Sequence, residues 1–314
     1  MTMAAADSGE GLAQLRARFS RLDFSRRDEP YLVDLARRHP THAFLGRGTL
    51  AVYQRQVGFL AEALPAYFGK QRSDIDILDW GCGKGHISYL LRQAGLHVTS
   101  ADVAQGGTDS AFHQATPILQ EQNIAPVPLA DPVELPFGDA SFDCVTSFGV
   151  LEHVAHDLAS LKQIRRILRP QGLLYVSFLP YRTSWTQALA RLRGDDYHDR
   201  LYTRRGVQSL ARAAGFEILG MHFGQLLPKN PVPRRLSSLL EPIDQLLCRY
   251  TPLALLATNP DARVSYKRLA TADEMLAIPP CSTCGVVSDH ATLISTCGRC
   301  HMELPTTGVC SCDD

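Results

Sequence analysis

The chain has 314 residues, 45% of them hydrophobic, which is enough apolar material for a large packed domain and excludes a mainly disordered chain. Lys plus Arg and Asp plus Glu balance at 32 each, so net charge gives no bias towards nucleic acid or anionic lipid. No run approaches the roughly 18 apolar residues needed to span a bilayer, and residues 1–20 lack the apolar core of a signal peptide, so a cytoplasmic, reducing location is expected.

Residues 1–73 read as an N-terminal helical cap, with Leu32, Leu35, Val52, Val57, Leu60 and Leu64 at helical spacing. From residue 74 strand-like and helix-like runs alternate, the pattern of a parallel sheet with crossover helices. The expected strands are 75–80, 97–102, 124–129, 142–148, 172–179 and 216–223, with helices over 87–94 and 158–168. Pro170, Gln171 and Gly172 are expected to stop the second helix and turn the chain into its strand. Residues 162–212 carry eleven basic side chains and three acidic ones, Asp195, Asp196 and Asp199. That bias reads first as a solvated helical face and second as an electropositive rim for an anionic substrate.

Residues 225–260 read as a helical insertion in the domain that spans 74–270. Leu236, Leu239, Leu240, Ile243, Leu246 and Leu247 form one apolar stripe, with Pro242 a kink or a second helix start. A packing or pocket-capping helix is the first reading. With Arg234 and Arg235 at its start, a peripheral membrane contact is the second. Residues 263–267 are expected to return as an antiparallel last strand beside 216–223. The fold class is therefore α/β: a Rossmann-like, mostly parallel sheet with flanking helices, followed by a small Cys-rich tail over 271–314.

The first strand runs into Gly81-Cys82-Gly83-Lys84-Gly85 and then a helix. Glycines permit a tight turn and close approach of a ligand to the backbone. The G-x-G-x-G spacing, preceded by Asp79, departs from the G-x-G-x-x-G of dinucleotide sites, and the Gly-Lys-Ser/Thr of a phosphate loop is absent. Asp102 ends the next strand, 17 residues past Gly85, where open α/β sheets bind ligands and a carboxylate can take ribose hydroxyls.

With these residues the sequence resembles the class I S-adenosylmethionine (SAM)-dependent methyltransferases, and within them the ubiquinone and menaquinone methyltransferase branch, over roughly residues 74–224. Three further segments carry the resemblance: Asp131-Pro132-Val133-Glu134-Leu135-Pro136-Phe137, Ser141-Phe142-Asp143-Cys144-Val145 leading to Leu151-Glu152-His153-Val154, and Leu168-Arg169-Pro170-Gln171-Gly172. The resemblance implies that Asp79 and the backbone of Gly81, Cys82, Gly83 and Gly85 hold the methionine part of SAM. It implies that Asp102 takes the ribose, that Val103 packs on the adenine and that Asp131 accepts from its amine. It implies too that Phe148, at the end of its strand, faces the cofactor with its backbone. Pro132 stands where the family often supplies a backbone N–H, which a proline lacks.

Methyl transfer to O–H or N–H needs a positioned nucleophile and a proton acceptor. His153, after the fourth strand, is the first candidate for the base and His198 the second; each also reads as an ordinary structural or surface histidine. A catalytic metal at Glu152 and His153 is disfavoured, because Gly149 stands where the metal-dependent small-RNA methyltransferases place another glutamate. The Asp/Asn-Pro-Pro-aromatic motif of nucleobase amino-methyltransferases is absent as well.

Six of the nine cysteines fall in the last 34 residues. Cys281, Cys284, Cys297 and Cys300 form a C-x2-C, x12, C-x2-C array that suits structural Zn²⁺, with Cys310, Cys312, His290 or His301 as substitute ligands. Redox thiols are the second reading and haem attachment at Cys297 to His301 the third. The sequence therefore predicts a methyltransferase using SAM and Zn²⁺ on a small-molecule or lipid-linked acceptor, most simply at oxygen. The alternatives are an RNA or protein methyltransferase docking through the tail, and a non-catalytic zinc-stabilised interaction protein.

Overall fold

Ile77, Leu78, Cys144, Val145, Leu173 and Leu174 are all fully buried, whichever way their side chains alternate. Strands buried on both faces need helices on both faces, as in a parallel sheet with crossovers. The computed structural model describes residues 29–38, 47–103, 117–131, 133–182, 184–194, 200–224 and 261–269, with isolated positions in 11–17 and 236–246. Its strands are β1 (Asp76–Trp80), β2 (His97–Val103), β3 (Val127–Leu129), β4 (Phe142–Phe148), β5 (Leu168–Ser177), β6 (Phe216–Gly224) and β7 (Asp261–Leu269). Their order is β3-β2-β1-β4-β5-β7-β6. The strands from β1 to β5 pair in parallel, and β7 runs antiparallel to both β5 and β6.

The described helices are α1 (Pro30–Arg38), α2 (Arg47–Phe68), α3 (His86–Gln93), α4 (Pro117–Glu121), α5 (Asp157–Ile167), α6 (Trp185–Arg193) and α7 (Arg204–Ala213). On one face, Leu32 and Leu35 of α1, Leu60 and Leu64 of α2 and Leu91 of α3 share a core with Ile77, Cys144 and Tyr175. On the other, Leu161 and Ile164 of α5 and Val207 and Leu210 of α7 pack with Leu78, Val145, Leu174 and Val176. Thr203 starts α7 by accepting the Gly206 N–H at 3.0 Å, a side-chain N-cap.

Two expected boundaries move. β3 begins at Val127 rather than 124, because Asn123 takes a left-handed φ of 50° and the Ile124 N–H donates to Leu119 instead of a strand. β5 begins at Leu168, with Gln171 at φ 66°. Leu168 faces Phe142 and Leu173 faces Cys144, so Pro170, Gln171 and Gly172 form a bulge inside the strand rather than the turn before it.

Ion pairs join the amino ends of the central strands. Asp143 of β4 accepts from Lys70 at 2.7 Å and Arg169 at 2.8 Å, and Arg169 also meets Asp76 of β1 at 2.7 Å. His97 of β2 lies 2.7 Å from the second Asp76 oxygen, and the Asp76 N–H donates to Asp143 at 3.0 Å. Among the described residues no helix is long and apolar enough to cross a membrane. The described positions of the apolar stripe are helical, and Leu236, Leu239, Ile243 and Leu246 are exposed.

Candidate active site

The loop after β1 is shaped by contacts that admit no side chain. Gly81 sits at φ 71°, and a Cβ there would lie 2.5 Å from the Val150 side chain. The Gly81 and Cys82 N–H groups both donate to the Ala101 carbonyl, at 2.9 and 3.0 Å. The Gly83 N–H donates to the Asp102 carboxylate, and the Gly85 N–H to the Cys82 carbonyl at 2.9 Å. Four of the loop's five N–H groups are thus engaged within the protein.

Asp79 explains why the helix start is also occupied. Its carboxylate is 1% exposed and accepts from the Ser88 hydroxyl at 2.6 Å, from the Ser88 backbone N–H and from Thr146 at 3.2 Å. Ser88 is the third residue of α3, so Asp79 is the anion that the first helical turn attracts. A phosphate there would meet a carboxylate already in place. With those four N–H groups committed, a phosphate finds few donors in the loop, and a cationic group is the better suited ligand. Burial pushes the Asp79 carboxyl up to about 6, against the pull of its Ser88 and Thr146 bonds. Asp79 and the Cys82 thiol, 3% exposed, therefore lie beneath the loop rather than on its rim.

Beside the loop, Asp102, the last residue but one of β2, has one carboxylate oxygen on the Gly83 N–H and the other accepting the Val103 N–H at 2.8 Å. Val103 is 51% exposed, an apolar surface next to a carboxylate. That pairing fits a ribose joined to a flat base. Past β3, Asp131 uses Oδ1 to accept the Val133 and Glu134 N–H groups, both at 2.7 Å. Those backbone bonds hold its carboxyl below the usual range. Pro132 lies outside the described residues.

Across the sheet, β4 ends in Phe148 and β5 runs into Phe178. Tyr53 of α2 joins them, 4.9 Å from Phe178 and 6.3 Å from Phe148 between ring centroids. His86, the first residue of α3, packs on Tyr53 at 4.6 Å. Burial, with Lys84 nearby, drives the His86 imidazole down to about 3, so it stays neutral. Phe178 holds φ 61°, a left-handed conformation that costs a bulky residue roughly 1–2 kcal/mol. Gln56 ties α2 to the end of β5 by donating to the Ser177 hydroxyl at 2.8 Å. Sequence reasoning missed Tyr53, His86 and Phe178; no local motif marks them.

His153 lies in the turn after β4, 39% exposed, with Nε2 3.9 Å from an oxygen of buried Glu152. The turn is tethered from outside. Arg200 donates to the Val154 and Ala155 carbonyls at 2.9 and 3.3 Å and lies 3.6 Å from Asp157; Tyr202 donates to Leu151 at 2.9 Å. The structure thus brings Asp79, the glycine loop, Asp102, Val103, Phe148 and His153 to the carboxyl ends of neighbouring strands. His198 and the four array cysteines, Cys281, Cys284, Cys297 and Cys300, lie outside the described residues. Among the described residues no cluster of three or more metal-binding side chains occurs.

A methyltransferase domain family model matches residues 53–220. The chain is similar to ubiquinone biosynthesis O-methyltransferase of Rickettsia bellii, 30% identical over 122 residues, covering 39% of this chain and 49% of that protein. The enzyme of the same name from Idiomarina loihiensis is 34% identical over 127 residues, covering 40% and 48%. Malonyl-[acyl-carrier protein] O-methyltransferase of Serratia marcescens is 33% identical over 129 residues, covering 41% and 46%. The chain spans about half the length of these curated relatives.

Proposed function

Because the chain belongs to the methyltransferase domain family, we propose that it transfers a methyl group from SAM to an oxygen of a small-molecule or lipid-linked acceptor. The observation that carries this reading is the loop with its N–H groups engaged and its helix-start anion supplied by Asp79. Such a loop receives an ammonium or sulfonium ligand and repels a phosphate. The residues fit SAM on that ground: loop carbonyls for the amino acid end, Asp102 for the ribose, Val103 and Asp131 for the adenine. Bound SAM supplies a methyl group that is already activated on sulfur. The protein's part is to orient the acceptor oxygen in line, exclude water and take the proton. His153 is the base in this reading, on a turn fixed by Arg200 and Tyr202. Two kinds of relative named as O-methyltransferases support oxygen as the methylated atom.

Calorimetry on Asp102→Ala tests the site. Losing a charge-assisted bonding group worth ~1.5–3 kcal/mol should weaken SAM about 10- to 100-fold. Full affinity in the variant would remove Asp102 from the ribose.

Two further parts of the reading concern regions beyond the sheet. The Cys281, Cys284, Cys297 and Cys300 donor set supports a closed structural Zn²⁺ site. Metal analysis should find one zinc per chain, lost on replacing Cys281 and Cys284 by Ser; metal-free full-length protein would end that reading. The exposed Leu236, Leu239, Ile243 and Leu246 beside Arg234 and Arg235 support contact with an anionic membrane surface, where a lipid-linked acceptor would be met. Arg234→Glu/Arg235→Glu should reduce co-sedimentation with anionic liposomes, and equal sedimentation of parent and variant would oppose it.

A further inference from the structure

We propose that Val150 is a positioning residue that couples the cofactor loop to the turn carrying His153, so that methyl donor and base are held in one frame. The inference rests on the methyltransferase reading and deepens it, naming a residue that acts through its neighbours.

The loop is gripped at both ends by side chains from elsewhere in the chain. A Cβ on Gly81 would lie 2.5 and 2.6 Å from the two methyl groups of Val150, and a Cβ on Gly85 would run into Leu119 of α4. Both glycines hold positive φ, 71° and 80°. A glycine has no side chain of its own to fix it, so what packs against it sets its place. The two grips lead to different parts of the molecule. Leu119 follows Ile118, which is buried with Leu32 and Leu35 of α1, and Glu121 of the same helix accepts from Tyr31 of α1 at 2.8 Å. That end of the loop is anchored to the N-terminal helices.

Val150 leads to the base instead. Its carbonyl accepts the His153 N–H at 2.9 Å, so one residue holds the loop by its side chain and His153 by its main chain. A β-branched side chain is stiff about χ1, which keeps the two methyl groups in a fixed relation to that residue's backbone. The residues on either side of Val150 are fixed as well. The Gly149 N–H donates to the Ser177 carbonyl at 3.0 Å, and the buried Leu151 accepts from Tyr202 at 2.9 Å. Val150 itself is half-buried at the edge of the core, where it fills little space, yet its forked end straddles Gly81. Methyl transfer depends on donor, acceptor and base keeping their distances, and a misplacement of about 1 Å can cost on the order of 100-fold in rate. A direct link from the donor's loop to the base's turn meets that need.

The test compares SAM with S-adenosylhomocysteine, which lacks the methyl group and the positive charge on sulfur. Each is added to saturation to the full-length protein, and the His153 ring signals, assigned through His153→Gln, are followed by histidine-selective NMR. A sulfonium held near the imidazole shifts it differently from a neutral thioether, and the difference fades with distance. The parent should show that difference at His153. Val150→Ala should shrink it at least about twofold, with SAM affinity by calorimetry staying within about tenfold of the parent. Val150→Thr keeps the forked shape and should restore the difference. Leu119→Ala loosens the other end of the loop and should weaken SAM binding while leaving the His153 difference intact. Retained SAM binding also shows that the variants are folded. A parental difference in Val150→Ala, an equal shrinkage in Leu119→Ala, no difference in the parent, or loss of all SAM binding in Val150→Ala overturns the coupling. Failure of the parent to bind either ligand instead overturns the methyltransferase reading beneath it.

Discussion

At the amino ends of β1, β4 and β5, the buried and half-buried carboxylates have partners beside them: Asp143 takes the cations Lys70 and Arg169, and Asp76 takes Arg169 and a hydrogen bond with His97. At the carboxyl ends of the same strands, charge and backbone are held against their preference. Asp79 is buried with hydroxyls and an N–H but no cation among the described residues, His86 is buried neutral, and Phe178 is left-handed. One end of the sheet is built to stay shut and the other to receive something. The difference shows in which way each carboxylate titrates. Burial raises Asp79, whereas at Asp76 burial is overcome by the His97 and Arg169 bonds and the carboxyl is lowered.

The largest expected effect breaks the carboxyl end outright. Gly81→Ala places a methyl group against Val150 at a positive φ. Overpacking and the left-handed penalty together should cost about 2–4 kcal/mol in urea unfolding, with SAM affinity reduced beyond calorimetric detection. A variant of parental stability that still binds SAM would show that the loop is not shaped by this contact.

Asp79→Asn sharpens the electrostatic contrast. The parental carboxyl moves from its ordinary value of 3.8 to about 6 in the folded chain. A raised acid favours the folded protein fully below pH 4, and the contribution fades as pH rises through 6, by at most about 3 kcal/mol. Asparagine does not titrate. Unfolding free energies measured from pH 4 to 7 should therefore shift progressively in favour of the variant relative to the parent. A difference independent of pH would mean that Asp79 is solvated and that the helix start is open to an external anion.

The two ends are not equally legible in the sequence. The glycine loop, Asp79 and Asp102 are readable because strand, turn and helix follow one another without a gap, and β4 falls on the expected residues 142–148. The bulge in β5 reads as a turn, because Pro170-Gln171-Gly172 looks the same locally whether the next strand has begun or not. The aromatic cluster at the carboxyl end is hidden for a different reason. Tyr53, Phe148 and Phe178 meet only when α2 packs beside the ends of β4 and β5, and a non-glycine left-handed φ such as that of Phe178 has no residue signature. Buried Gln54, Arg55 and Gln56 likewise interrupt the apolar spacing from which α2 is read. The ladder at the amino end is invisible too, since its members come from five positions spread from Lys70 to Arg169.

Asp143→Ala asks whether the paired end contributes stability alone. The carboxylate is 3% exposed, but Lys70 and Arg169 are 30% and 34% exposed and can turn to water once it is gone. The expected cost is therefore discounted from that of a fully buried pair to about 2 kcal/mol, part of it from the Asp76 N–H left without its acceptor. Asp76 sets the direction with pH. Its lowered carboxyl favours the folded state above 3.8, and that contribution is lost as pH falls through its folded value. Because Arg169 bridges the two aspartates, removing Asp143 frees it to serve Asp76 alone, and the acid limb of the stability profile should persist in Asp143→Ala. SAM affinity should stay at the parental value, because no bond of the ladder reaches the carboxyl end. A loss of SAM binding without a loss of stability would mean that the two ends are coupled through β1 and β4, and that the sheet transmits strain between places that otherwise act separately.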